Sequence, residues 1–210
     1  SGMVATIAGC IGAGAFGFLA ILLALSRERR AIGRRLIGAC LASVVLFGVQ
    51  ALLGSAEAGV SPLFLQLLEL LRDAAWLGFV ADVLGALGDA DYQRSLRAKV
   101  RLLYAILAAA ALSLLFPVVF GLSTAGIRRL FLGACLLNAL GGLVLVEQLF
   151  RNTARDSRWA LKHLCFGVGG LFAYDFYLYA DAVLFNRIDF ATWAARGFVA
   201  ALAVPMIATS

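Results

Sequence analysis

VATIAGCIGAGAFGFLAILLALSRERRAIGRRLIGACLASVVLFGVQALL, from Val4 to Leu53, sets two long apolar runs on either side of one arginine cluster. A helix rises about 1.5 Å per residue, so about 20 apolar residues cross a hydrocarbon core about 30 Å thick. The first run, Val4 to Leu25, is too long for a signal-peptide core and has no basic residue ahead of it. It reads as a retained helix, with Ser1 and Gly2 as a cloning remnant. The same pattern of apolar run and short polar gap continues to the end of the chain.

Seven segments meet the length requirement: Val4 to Leu25, Leu36 to Leu53, Leu63 to Leu87, Val100 to Gly121, Arg129 to Phe150, Ala160 to Phe185 and Ala191 to Ala208. The fold expected is therefore all-α, a polytopic seven-transmembrane-helix bundle forming one domain over residues 1–210. Composition agrees, since 63% of the residues are hydrophobic and 14% charged, a balance unsuited to a water-facing surface. The net charge of +6 does not point to nucleic acid, because the basic residues sit between apolar runs, at the level of lipid headgroups.

Basic connections stay on the cytoplasmic side of a membrane. The first gap holds Arg27, Arg29, Arg30, Arg34 and Arg35, the third Arg94, Arg97, Lys99 and Arg101, and the fifth Arg151, Arg155, Arg158 and Lys162. The intervening gaps hold none, then Arg128 and Arg129, then Arg187. This alternation places the N-terminus outside and the C-terminus in the cytoplasm.

Ionisable groups at membrane depth are costly and mark functional or structural sites. Glu69, Arg72 and Asp73 share one face of the third span. Asp175 and Asp181 lie on the sixth and Arg196 on the seventh, all in the outer half by helical rise. The depths match Asp181 with Arg196 and Asp175 with Arg72. Two acids then remain, to be protonated or to line a pocket for a cationic or hydroxyl-rich ligand. A polar lock that fixes helix packing is the other reading of the same residues. In FAYDFYLYADAVLF, Phe172 to Phe185, Tyr174, Tyr177 and Asp181 fall on one helix face and Asp175 and Tyr179 on a neighbouring one. Such a face suits a sugar or lipid headgroup, while interface anchoring explains Tyr179.

Other features read as structural. Cys10, Cys40, Cys135 and Cys165 lie in apolar stretches without metal or disulfide spacing and are expected as buried small hydrophobes. Gly9, Gly12, Ala13, Gly17, Gly133, Gly141, Gly142, Gly167, Gly169 and Gly170 offer small faces for close helix approach. Glu147 and Arg151 form an i, i+4 pair, and His163 makes a headgroup or helix-end contact. Asp82 falls toward the inner interface. No phosphate loop, zinc motif or nucleophile elbow occurs. No lysine is expected inside a span, which speaks against a retinal-type Schiff base. No catalytic residue, metal ligand or cofactor is expected.

Three strings carry a family likeness: LLELLRDAAW, Leu67 to Trp76; VEQLFRNTARDSRWALKHLCFGVGGLFAYDFYLYADAVLFNRID, Val146 to Asp189; and WAARGFVAALAVPMIA, Trp193 to Ala208. The chain resembles the PrsK family of sensor histidine kinases of the PEP-CTERM/exosortase system, found in exopolysaccharide-producing bacteria. The likeness runs along the whole chain and is specific in the second half, around YDFYLYADA and WAARGF. It implies the multi-helix sensor module of a two-component kinase in a bacterial inner membrane. The phosphotransfer residues of such a kinase lie in a cytoplasmic half that this sequence does not contain. A membrane or envelope ligand, a lipid or saccharide, would bind in the outer half through Glu69, Arg72, Asp73, Tyr174, Asp175, Tyr177, Asp181 and Arg196. The signal would leave through the last helix to a kinase homodimer and its response regulator. A small transporter or proton-coupled carrier is the alternative, and an enzyme acting on lipid-linked sugar a weaker one, because Asp175 and Asp181 fall on different helix faces.

Overall fold

The computed structural model describes residues 2–25, 31–55, 62–120, 124–153, 158–185 and 187–209. Over these residues the chain forms seven helices: α1 (Gly2–Leu25), α2 (Ala31–Ser55), α3 (Pro62–Leu87), α4 (Ala90–Phe120), α5 (Thr124–Asn152), α6 (Arg158–Phe185) and α7 (Phe190–Ala208). Six of them, all but α3, are long and apolar enough to cross a membrane. At 26 residues α3 has the length, but Glu69, Arg72, Asp73 and Asp82 dilute its apolar character. Arg27, Arg29, Arg30 and Arg155, used above to assign sidedness, lie outside the described residues, as do Ser1 and Gly121.

Helices run past their apolar stretches because a closed backbone ladder satisfies its own polar groups at the membrane boundary and beyond it. Instead of beginning near Val100, α4 begins at Ala90, where Asp89 accepts from the Tyr92 amide at 2.9 Å. Arg94, Arg97, Lys99 and Arg101 are thus helical residues and not part of a connecting loop. The expectation that no lysine lies within a span also needs correction. Lys162 is inside α6, exposed on its outer side, with its ammonium 5.9 Å from the Trp159 ring centroid and 5.8 Å from that of Phe166. Pro62 opens α3 where its missing N–H costs nothing, and Asp189 caps α7 by accepting from the Ala191 and Thr192 amides.

Close packing links α1 to α2 and α7, α2 to α3, α3 to α5, α5 to α6, and α6 to α7. These neighbours make a ring, and α4 flanks it against α3 and α5. Large apolar side chains cover the outside, with Leu184 78% and Leu202 71% exposed, as a lipid-facing surface requires. Inside, Phe16, Phe47, Trp76 and Phe79 form an aromatic chain with ring centroids 5.8 to 6.2 Å apart. Trp76 donates its indole N–H to Ser43 Oγ at 3.0 Å, so this apolar core leaves its one polar tip satisfied. Cys40, Cys135 and Cys165 are buried as expected, whereas Cys10 is exposed because its face of α1 turns away from α2 and α7.

A close approach of α7 to α1 involves a glycine that the small-residue pattern did not single out. A Cβ on Gly197 would stand 2.0 Å from the Ala8 carbonyl oxygen, so only glycine lets α7 lie on the backbone of α1. Gly12 faces the same seam, where an added Cβ would stand 3.2 Å from the Gly197 Cα. Gly133 and Gly170 have open space instead and do not mediate close approach.

Candidate functional site

Five ionisable side chains meet inside the ring: Glu69, Arg72 and Asp73 from α3, Asp175 from α6 and Arg196 from α7, each 96% or more buried. The close neighbours of α3 are α2, α4 and α5, so it is these long side chains that carry it across to α6 and α7. Arg196 Nη1 donates to Glu69 Oε1 at 2.9 Å, and its Nε lies 3.0 Å from Asp175 Oδ1 as an ion pair outside hydrogen-bond angles. Arg72 donates from Nη2 to Asp73 Oδ1 at 2.7 Å and to Asp175 Oδ2. Asp175 therefore lies between both guanidiniums.

Two neutral donors complete the set. Tyr179 donates to Glu69 Oε2 at 2.8 Å, and Trp193 donates its indole N–H to Glu69 Oε1 at 2.6 Å. Arg196 Nη2 donates in turn to the Tyr179 oxygen at 3.2 Å, with the guanidinium carbon 5.7 Å from that ring's centroid. A buried charge is tolerated when it is both paired and hydrogen-bonded, and Glu69 meets that requirement through three donors from two helices.

The charges do not balance. Three carboxylates face two guanidiniums, leaving one negative charge in excess when all are ionised. Asp73 has the thinnest support of the three, since among the described residues its hydrogen-bond and ion-pair partner is Arg72 alone. Arg72, Asp73 and Asp175 border a void of about 10 Å³ with Ser43 and Trp76, room for about one water.

The pairing of Asp175 with Arg72 expected from depth is present. That of Asp181 with Arg196 is not: Arg196 turns to Glu69 and Asp175. Asp181 is half-buried, with no ion-pair partner among the described residues. The reason is angular. Arg196 faces the ring interior, where Asp175 and Tyr179 point, four residues apart on one face of α6, while Asp181 shares the outward face of Tyr177. Tyr177 is 57% exposed and does not join the cluster. Tyr174 is half-buried and donates to the Thr192 carbonyl at 2.8 Å, tying α6 to the first turn of α7.

Tyr179 and Trp193 are the cluster members that the sequence reading missed. Tyr179 is not an interface anchor but is 1% exposed and bonded to Glu69. Its position four residues after Asp175, and that of Trp193 three before Arg196, place both on the charged faces. At the opposite end of the bundle, Glu147 meets Arg151 at 3.4 Å, His163 Nδ1 lies 3.0 Å from the Trp159 carbonyl, and Asp82 accepts an ion pair from Arg35 at 3.1 Å. Among the described residues no group of His, Cys, Asp and Glu is placed to hold a metal ion.

Comparison with known proteins gives no matching family model, no matching curated protein and no matching solved structure.

Proposed function

We propose that this chain is the membrane-embedded input module of a sensor histidine kinase of the PEP-CTERM/exosortase type. In this reading all seven helices cross a bacterial inner membrane, α3 included, with the N-terminus outside and the C-terminus in the cytoplasm. The observation that carries it is Arg196, which engages α3 through Glu69 and α6 through Asp175 at once. Because this one cation is shared between two acidic neighbours on different helices, a second arrangement lies within reach, in which one pairing is exchanged for another. A lipid or saccharide ligand from the membrane or envelope meets the adjacent outward edge, Tyr177 and Asp181 with Tyr174 behind them. It shifts the balance by binding the two arrangements unequally. Displacement of α7 then reaches a cytoplasmic kinase dimer and, through it, the response regulator. The chain itself carries no catalysis.

The test is autophosphorylation of the full-length kinase bearing Arg196→Met or Glu69→Gln. The reading expects output locked high or low in both variants and insensitive to stimulus, whereas wild-type signalling in both would refute it. The carrier alternative draws on a different observation, the excess carboxylate beside a water-sized void. It requires proton flux by the purified chain in liposomes loaded with a pH dye, abolished by Asp73→Asn; no flux above protein-free vesicles removes it.

A further inference from the structure

A second site lies at the other end of the bundle. A groove of about 530 Å³ opens between α2, α3 and the start of α4, within the range of about 300–1,000 Å³ typical of ligand sites. Its floor is apolar, from Ile32, Ala81, Ala86 and Val100, and its rim carries Arg97 and Arg101. Arg35 closes one edge through its 3.1 Å pair with Asp82.

The level of this groove in a bilayer follows from α4. At 31 residues, α4 is about 46 Å long and exceeds a core of about 30 Å by about 16 Å. The surplus lies at its start, because every charged residue of α4 falls between Asp91 and Arg101, and Leu102 to Phe120 carries none. Arg101 thus marks the boundary of the hydrocarbon, and Arg97 stands one turn farther out, where phosphates lie.

The charges of the groove are not spent internally. Three arginines face one carboxylate, and that carboxylate is held by Arg35. Arg101 has no ion-pair partner among the described residues. Arg97 Nη2 donates to Gln93 Oε1 at 3.2 Å, and Gln93 is itself anchored by donating to the Gly85 carbonyl at 2.9 Å. One guanidinium is therefore held in place and a second stands free four residues on, above an apolar floor. We propose that this groove binds one anionic glycerophospholipid of the bilayer, its phosphate on Arg97 and Arg101 and its glycerol and first methylenes on the floor. The site is separate from the Arg196 cluster and does not depend on the sensor reading.

Native mass spectrometry of the purified chain, titrated with phosphatidylglycerol or phosphatidylcholine of the same acyl chains, tests it. One phosphatidylglycerol is expected to be retained per chain, about tenfold more tightly than phosphatidylcholine, since both lipids offer the phosphate but only phosphatidylcholine adds a quaternary ammonium, which cancels its net charge and is repelled by Arg97 and Arg101. Arg97→Gln/Arg101→Gln should abolish that preference. Ala86→Phe, which fills the groove and alters no charge, should weaken retention of phosphatidylglycerol even if the double variant folds poorly. Arg196→Met should leave it intact. Equal retention of the two lipids, an unchanged preference in the double variant, or full retention in Ala86→Phe would each overturn the proposal. So would displacement by soluble glycerol 3-phosphate at matched concentration, which would assign the site to a free anion.

Discussion

Replacing Arg196 by Met keeps an unbranched apolar stem, shortens the side chain by two atoms along its length and removes its charge. In the native cluster Glu69, Asp73 and Asp175 face Arg72 and Arg196, an excess of one negative charge; in Arg196→Met the excess becomes two. Glu69 loses its 2.9 Å cation and Asp175 one of its two. Removing one partner of a buried pair costs about 3–5 kcal/mol, a large part of a total stability of about 5–15 kcal/mol. The double variant Glu69→Gln/Arg196→Met restores the native excess of one, because a carboxylate and a guanidinium leave together. Its cost should be less than half the sum of the two single losses, a coupling above about 1 kcal/mol of the kind seen between directly paired groups. Reversible unfolding in mixed micelles, followed by helical circular dichroism, gives all four values. A single variant within about 0.5 kcal/mol of wild type, the range of surface changes, or strictly additive losses, would refute a shared buried network.

Tyr179→Phe keeps the ring over Arg196 and deletes the hydroxyl between Glu69 and Arg196. A loss of about 1.5–3 kcal/mol is expected for a buried hydrogen bond to a charged group, measured in the same unfolding assay. Gly197→Ala puts a methyl onto the Ala8 carbonyl, and the forced shift of α7 should cost about 1–3 kcal/mol; Gly170→Ala, facing open space, should be neutral. Asp189 is exposed, and its bonds from the Thr192 hydroxyl and the Thr192 and Ala191 amides hold its carboxyl below the usual range. The sign follows from that depression: its contribution to α7 is present above the unfolded carboxylate value and fades as pH falls through the lower folded one. Hydrogen exchange at the first turn of α7 should accordingly differ between wild type and Asp189→Ala at neutral pH, and converge in acid. Asn138→Leu should raise the melting temperature, since both amide atoms of this fully buried side chain lack a hydrogen-bond partner among the described residues.

The helical bundle was legible because apolar length and arginine position are one-dimensional signals, and Val4 to Leu53 alone carries both. The members of the charged cluster were legible in part for a related reason: depth can be counted along a helix, and depth paired Asp175 with Arg72. Rotation about the helix axis is set by packing. The sequence could place Asp181 and Arg196 at one level but not show that Gly197, seated on Ala8, turns its neighbour Arg196 toward Glu69. Tyr179 was misread because a tyrosine near a helix end has two ordinary uses, and only the tertiary placement of Glu69 separates them. The start of α4 was set ten residues late because hydropathy reports where lipid ends, whereas the helix ends where Asp89 caps it.

In the proposed reading, sidedness is what would let a change at Arg196 be read across the membrane, and it can be measured directly. Single cysteines at positions 94, 151 and 187, in a background without Cys10, Cys40, Cys135 and Cys165, are labelled in intact cells with a membrane-impermeant maleimide. The account predicts labelling at position 187 alone, with 94 and 151 reacting only after the inner membrane is opened. Labelling of 94 or 151 from outside, or protection of 187, would contradict it.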